Sequence, residues 1–350
     1  MKVAGFFAGS GGLELGLERS GHETVALCEI MPSAQAVLKK HFPGVALLSD
    51  VRRIDAIPDG VDLLTFGFPC QDLSQVGSTR GLSGPKSGAV KAVFRLLRRR
   101  TVPWLIVENV PFMLRLDGGA AIRYLTGQLE RLGYRWAYRV IDTRAFGLPH
   151  RRERVFLVAS LEADPARLLF SESVPPSFKT EHAGRACGFY WTEGNRGLGW
   201  AVDAVPPLKG GSALGIPSPP GIWLPRGKCR VVTPDIRDAE RLQGFPADWT
   251  NAAVDVSPER FRWTLVGNAV SVPVAEWIGR TIGRRQGALP IARDTLENGT
   301  PWPKAAFGGP REQRYQVECS TWPVAIDGRP LADFLEFDLE PVAARRHRAG

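Results

Sequence analysis

Over the first 160 residues, strand-length apolar runs alternate with stretches whose apolar positions recur at helical spacing. "KVAGFF" reads as a short strand, "LELGLERSG" as a helix closed by glycine, "TVALCEI" as a second strand and "PSAQAVLKKHF" as a helix opened by proline. "VALLSD" supplies a third strand, "VDLLTFGF" a fourth, "GAVKAVFRLLRRR" a helix, "PWLIVEN" a fifth strand and "AIRYLTGQLERLGY" an amphipathic helix. An alternation this long predicts an α/β fold built on a doubly wound parallel sheet. "WAYRVIDTRAFG" and "RERVFLVAS" follow as two more strands, an antiparallel edge to that sheet.

Beyond residue 160 the pattern collapses. From Leu161 to Cys229 proline, glycine, tryptophan and basic residues dominate ("GFYWTEGNRGLGW", "IPSPPGIWLPRGK"), as expected of a second, loop-rich domain. Helical signals return between Arg230 and Gly283 ("DAERLQGF", "PVAEWIGRTIG"), and the segment 284–350 carries no readable role. The organisation expected is therefore a domain over 1–160, a loop-rich region over 161–229, a compact segment over 230–283 and a C-terminal tail. A chain of 350 residues suits one large domain with a smaller companion. The formal charge of +9 suits a polyanionic partner such as nucleic acid. Five scattered cysteines without a CxxC pair signal neither a zinc site nor a disulfide framework, which places the chain in the cytoplasm. No apolar stretch reaches the roughly 18 residues a membrane span needs, and the N-terminus runs straight into a glycine turn, unlike a signal peptide.

Four groups of residues carry candidate chemistry. "FFAGSGG" leaves the first strand and opens a helix, where glycines let a ligand approach backbone amides at a helix N-terminus. Glu29 ends the second strand at about the spacing that reaches a ribose diol, and Asp50 ends the third, placed to accept from an adenine amine. The glycines do not follow GxGxxG, so a nucleoside without phosphates fits better than a dinucleotide. In "TFGFPCQ", Cys70 follows the fourth strand at the carboxyl edge, where open α/β sheets bind ligands; burial as a small apolar side chain is the commoner fate of a free cysteine. Glu108 ends the neighbouring strand, so an acid and a thiol share one crevice. In "HRRERV", Arg152 and Arg154 alternate onto one face and suit an oxygen-rich ligand, whereas His150 reads as structural.

In order and spacing, "FAGSGG", "PCQ" after Gly67 and Phe68, "ENV", "RRER", "RLQGFP" and "GNAV" resemble the DNA (cytosine-5) methyltransferases, over residues 1–160 and 230–283. The resemblance implies a Rossmann-like S-adenosylmethionine-dependent methyltransferase fold with a smaller target-recognition domain in 161–229. It implies S-adenosyl-L-methionine as cofactor, with S-adenosyl-L-homocysteine as product. Phe7, Ala8, Gly9, Gly11, Gly12, Glu29, Asp50, Val51 and Pro69 would hold it, with Asn268 and Val270 closing the pocket. Cys70 would be the nucleophile, Glu108 the acid on the base, and Arg152 and Arg154 would serve the base and a mobile loop, "QDLSQVGSTRGLSGPKSG". Gln243 would organise the second lobe. The partner implied is double-stranded DNA, met by a monomer, with companion restriction or defence proteins. One departure stands out: the family usually has glutamine where this chain has His150.

That chemistry explains the residue types. Cytosine carbon 5 is a weak nucleophile until a thiolate adds at carbon 6, and the charge so loaded on the ring is relieved by a proton at N3 and an arginine at O2. Both faces of the ring must be reached, so the base must leave the duplex. Two rivals were weighed. RNA cytosine methyltransferases of the same fold typically show "PPCQPFT" and little variable region, whereas here Phe68 precedes Pro69 and about seventy residues precede Arg230. Non-catalytic relatives tend to lose the nucleophile or the acid, and this chain keeps both.

Overall fold

The computed structural model describes residues 1–68, 88–190, 199–211, 216–227, 230–284, 293–297 and 299–342. Pro69, Cys70, the expected mobile loop, Trp191 and the basic C-terminus lie outside the described residues.

Five parallel strands form the centre: β1 (Lys2–Phe6), β2 (Glu23–Cys28), β3 (Ala46–Leu48), β4 (Leu63–Gly67) and β5 (Trp104–Asn109), in spatial order β3-β2-β1-β4-β5. The order reverses between β1 and β4, which opens a crevice at their carboxyl ends. Helices α1 (Gly12–Arg19), α2 (Pro32–His41), α3 (Gly88–Arg99) and α4 (Ala120–Arg131) connect these strands. The apolar face of α3 (Val90, Val93, Phe94, Leu96, Leu97) is buried, while Arg98 and Arg99 in its last turn face water and favour its negative end. Two apolar clusters sandwich the sheet, with Phe66, Leu105 and Trp136 on one side and Leu63, Ile106 and Phe156 on the other.

β6 (Arg135–Asp142) and β7 (Glu153–Ser160) are antiparallel as expected, and β7 lies between β5 and β6. They are not the sheet's edge. The small lobe carries β8 (Cys187–Phe189), β9 (Ala201–Val202), β10 (Gly221–Trp223) and β11 (Val231–Thr233). The chain then returns to the large sheet with β12 (Arg293–Thr295), β13 (Ala305–Gly308) and β14 (Tyr315–Val317), giving ten strands in which β13 pairs with β6. A last strand, β15 (Glu340–Pro341), joins the small lobe's sheet in the order β15-β11-β10-β8-β9. The tail is thus built into both lobes. Arg139, fully buried in β6, fixes it by donating to the carbonyls of Ser320, Leu169 and Glu172.

The large lobe also reaches past residue 160. The short helix Pro165–Leu169 puts Leu168 and Leu169 into the core beneath β6 and β7. The helix Val272–Ile282 crosses α1 closely, because a Cβ at Gly16 would lie 2.6 Å from Ala275 Cβ. That crossing brings residues 268–270 beside the loop after β1.

Candidate active site

The loop after β1 turns through three left-handed residues: Phe7 (φ 55°), Gly9 (φ 54°) and Gly11 (φ 78°). For Phe7 this conformation is costly, and strain of this kind clusters at ligand sites. At Gly9 a Cβ would meet nothing within 4 Å among the described residues, so the loop is open on that face; at Gly12 it would lie 2.5 Å from the Val270 carbonyl oxygen. Ser10 is pinned beneath, its hydroxyl donating to the Leu265 carbonyl and its own carbonyl accepting from the Trp249 indole at 2.7 Å. Glu29 lies across the crevice, its two carboxylate oxygens accepting from the amides of Gly9 and Met31, each at 2.8 Å. Loop and carboxylate are therefore one unit, with lone pairs left for hydroxyl donors. Ile30, exposed beside Glu29, is an apolar face that sequence reasoning missed.

Asp50 caps the turn Val51–Arg53 through the Arg52 amide and also holds the Arg52 guanidinium at 2.8 Å. That bond holds its carboxyl below the usual range. Val51 turns inward and is buried in the core, and Asn268 ends the helix Phe261–Asn268 exposed. The donors and acceptors along this edge, with the open face at Gly9 and the apolar Ile30, fit an adenosine-bearing ligand without phosphates.

The second half of the site is Glu108. Opposite it in register stands Gly67, whose missing side chain leaves room for the carboxyl: a Cβ there would lie 3.3 Å from Glu108 Oε2. Arg154 Nε stands 3.2 Å from Glu108 Oε1, and both side chains are about one-eighth exposed. Burial pushes the Glu108 pKa up, with Arg154 and then Arg152 holding it back. An upward shift favours the protonated carboxyl, the form a proton donor needs. Asn109, unnoticed in the sequence apart from its place in "ENV", donates to the Phe68 carbonyl at 2.8 Å and so fixes the chain just before Pro69 and Cys70. Cys70 itself lies outside the described residues, so its distance to Glu108 is not part of this geometry.

Arg152 is fully buried and donates through one terminal nitrogen to the carbonyls of Gly267 and Ala269. Its Nε and other terminal nitrogen have no partner among the described residues, an expensive arrangement that marks donors held ready. His150 is a neutral crosslink: the Leu208 amide donates to Nε2, so Nδ1 carries the proton and donates to the Leu242 carbonyl. Burial drives its pKa far down. A glutamine amide offers the same donor and acceptor, which accounts for the exchange. Gln243 accepts from Ser271 and donates to the Val266 carbonyl, tying the segment 242–271 together.

The small lobe meets the residues leading into β7 through Val205, which bridges His150 and accepts from the Arg151 amide, and through the Leu208 amide on His150; Tyr190 and Lys209 pack on each other within the lobe. The tyrosine hydroxyl accepts from the Lys209 amide, and the Lys209 ammonium sits 4.0 Å over its ring. A lobe rich in tryptophan would ordinarily use it as core, since large aromatics anchor packing; here Ile222 points inward instead, and its neighbour Trp223, by strand alternation, points outward. Trp223 and the half-exposed Trp200 line an apolar cavity of about 490 Å³ with His182, Cys187 and Val202.

The chain is similar to known methyltransferases. The sequence profile described as C-5 cytosine-specific DNA methylase matches residues 1–186. The chain is 48% identical over 359 residues to the Type II methyltransferase M2.BsuMI of Bacillus subtilis, covering 99% of this chain and 91% of that protein. It is 27% identical over 300 residues to the Type II methyltransferase M.MspI of Moraxella, covering 80% and 70%. Among solved structures, the S. pombe Dnmt2 methyltransferase superposes with a TM-score of 0.58 at 16% identity, over 79% of this chain and 97% of that one. A putative DNA modification methyltransferase encoded within an E. coli prophage gives 0.56 at 18% identity, over 81% and 98%. At such identities the structures establish a common fold alone.

Proposed function

The chain belongs to the C-5 cytosine-specific DNA methylase family and is a DNA cytosine-5 methyltransferase of the restriction-modification type; from that premise we propose how its own residues carry the reaction. The observation that bears most weight is the pair Glu108 and Arg154, set beside the end of β4 in a crevice shared with the left-handed glycine loop.

Phe7, Ala8, Gly9, Gly11 and Gly12 form one wall of the cofactor site, with Glu29 on the ribose hydroxyls, Asp50 on the adenine amine, Val51 and Pro69 along the purine, and Asn268 and Val270 closing it. Asp50 reaches the purine once its exposed partner Arg52 swings away. When bound there, S-adenosyl-L-methionine supplies the methyl group that carbon 5 of the cytosine takes. The flipped cytosine lies over Glu108. The Cys70 thiolate forms a bond to carbon 6, and the ring electrons it displaces are met by a proton moving from Glu108 to N3. Arg154 orients Glu108 and faces O2 of the base, and the free donors of Arg152 serve the base and the segment 71–88. After methylation, loss of the carbon 5 proton and expulsion of Cys70 restore the aromatic ring and the free thiol.

Residues 161–229 supply target recognition. Tyr190 lies within electrostatic reach of Arg152, while Trp200 and Trp223 face outward from the small lobe. The enzyme works in the cytoplasm as a monomer on double-stranded DNA, beside a companion endonuclease or other defence protein. Incubating purified enzyme and labelled cofactor with duplex DNA and with structured RNA tests the reading. Label should enter duplex DNA at carbon 5 of cytosine, and incorporation into RNA alone would overturn it.

A further inference from the structure

We propose that Trp249 is a positioning residue for the cofactor: its indole N–H sets the shape of the loop Phe7–Gly12 and so governs cofactor affinity, not methyl transfer. The proposal rests on assigning that loop to S-adenosyl-L-methionine. Trp249 lies 239 residues from Ser10 in sequence and belongs to no motif quoted above.

The geometry is specific. Trp249 is buried, and its Nε1 donates at 2.7 Å to the carbonyl of Ser10, between the left-handed Gly9 and Gly11. Ser10 is itself buried, so this carbonyl has no water to fall back on. The N–H of the same Ser10–Gly11 peptide donates to the Ala8 carbonyl at 2.8 Å, so the plane is held at both ends, and the indole bond is the end that comes from outside the loop. Trp249 cannot drift either. His41 stacks on it with centroids 3.6 Å apart and bonds its carbonyl at 2.7 Å; Phe245 packs on it at 5.3 Å, and Phe42 meets it edge-on. Phe42 also fills the space a side chain at Gly11 would need, its ring carbon 2.6 Å from that position. A single aromatic cluster thus supports both the glycine and the carbonyl before it. Without the indole N–H the loop would sample other peptide orientations, and cofactor binding would have to re-order it, which lowers affinity by the population of competent loop.

The test uses the full-length enzyme and titration calorimetry with S-adenosyl-L-methionine in the absence of DNA. Trp249→Phe keeps an aromatic ring and removes the donor; it should weaken cofactor binding by about tenfold. Single-turnover methylation at saturating cofactor should fall less than twofold, so KM moves and kcat does not. His41→Ala, at the half-buried rim of the cluster, loosens Trp249 and should weaken binding two- to threefold, about the effect of an incompletely ordered loop; it carries the test if Trp249→Phe fails to fold. Wild-type affinity in both variants would overturn the proposal, as would a loss confined to kcat. A wild-type enzyme with no affinity for S-adenosyl-L-methionine would instead overturn the cofactor assignment beneath it.

Discussion

Glu14 is buried in the first turn of α1 with no cation near it, and replacing it with glutamine should change how stability depends on pH. Its Oε1 accepts from the Thr65 hydroxyl at 2.8 Å, its Oε2 has no partner among the described residues, and Gly5 beneath it leaves the space the carboxyl occupies. Burial is the main cause that raises its pKa, from an ordinary 4.5 to about 7; Thr65 opposes, and the charges of Glu18 and Glu29 add to the rise. The folded protein therefore keeps a proton that the unfolded chain releases. The resulting stability is fully present below about pH 4.5 and is lost as pH rises to about 7. At about 1.4 kcal/mol for each pH unit, the loss amounts to about 3 kcal/mol. Glu14→Gln stays neutral and is spared it. Urea unfolding at intervals from pH 4.5 to 8 should show the variant gaining on the wild type by about 3 kcal/mol across the range, then holding level. Parallel curves, or a variant that loses ground as pH rises, would show that the carboxyl is ionised in the fold and refute the reasoning.

Other consequences are narrower. Glu108→Gln cannot supply the N3 proton, and single-turnover methylation should slow by roughly 10² to 10⁴ with DNA affinity little changed; an unchanged rate would remove Glu108 from the chemistry. His150→Gln should retain stability and activity, whereas His150→Leu leaves the Leu242 carbonyl and Leu208 amide buried without partners and should lower unfolding free energy by about 2 to 4 kcal/mol; equal melting of the two variants would contradict the crosslink. Grafting residues 180–229, which leaves the large-lobe helix Pro165–Leu169 and the Arg139 contacts in place, into a related enzyme of different specificity should carry the target sequence with it, as read by bisulfite sequencing. An active chimera that keeps the recipient's site would move recognition elsewhere.

Much of the large lobe could be read from the sequence because parallel strands buried on both faces are nearly continuous apolar runs. β1, β2, β4 and β5 were legible for that reason, antiparallel β6 and β7 because they too are buried, and the more exposed β3 only by its place in the alternation; the loop after β1 and Glu108 were placed by the strands they follow. The tail was not legible: β12 to β14 are three or four residues each, too short for a period, and they become strands only by pairing, β13 on β6, β14 on β13 and β12 on β14. The tryptophans misled because strands as short as β10 place neighbours on opposite faces, and composition alone does not say which face is core. Trp249, Asn109 and Glu14 escaped notice for a further reason. Each acts through a backbone carbonyl or a neighbour distant in sequence, and only the fold brings those atoms together.

Duplex DNA carrying 5-fluorocytosine at the enzyme's own target, found beforehand by bisulfite sequencing of a host expressing it, probes the covalent step itself. Fluorine cannot leave carbon 5 as a proton does, so a reaction that begins with thiolate addition halts with enzyme and DNA joined. The wild type with S-adenosyl-L-methionine should give a denaturant-resistant complex whose linked peptide contains Cys70, and Cys70→Ala should give none while still binding the cofactor. Methylated product without any covalent complex, or a complex through another residue, would contradict the account.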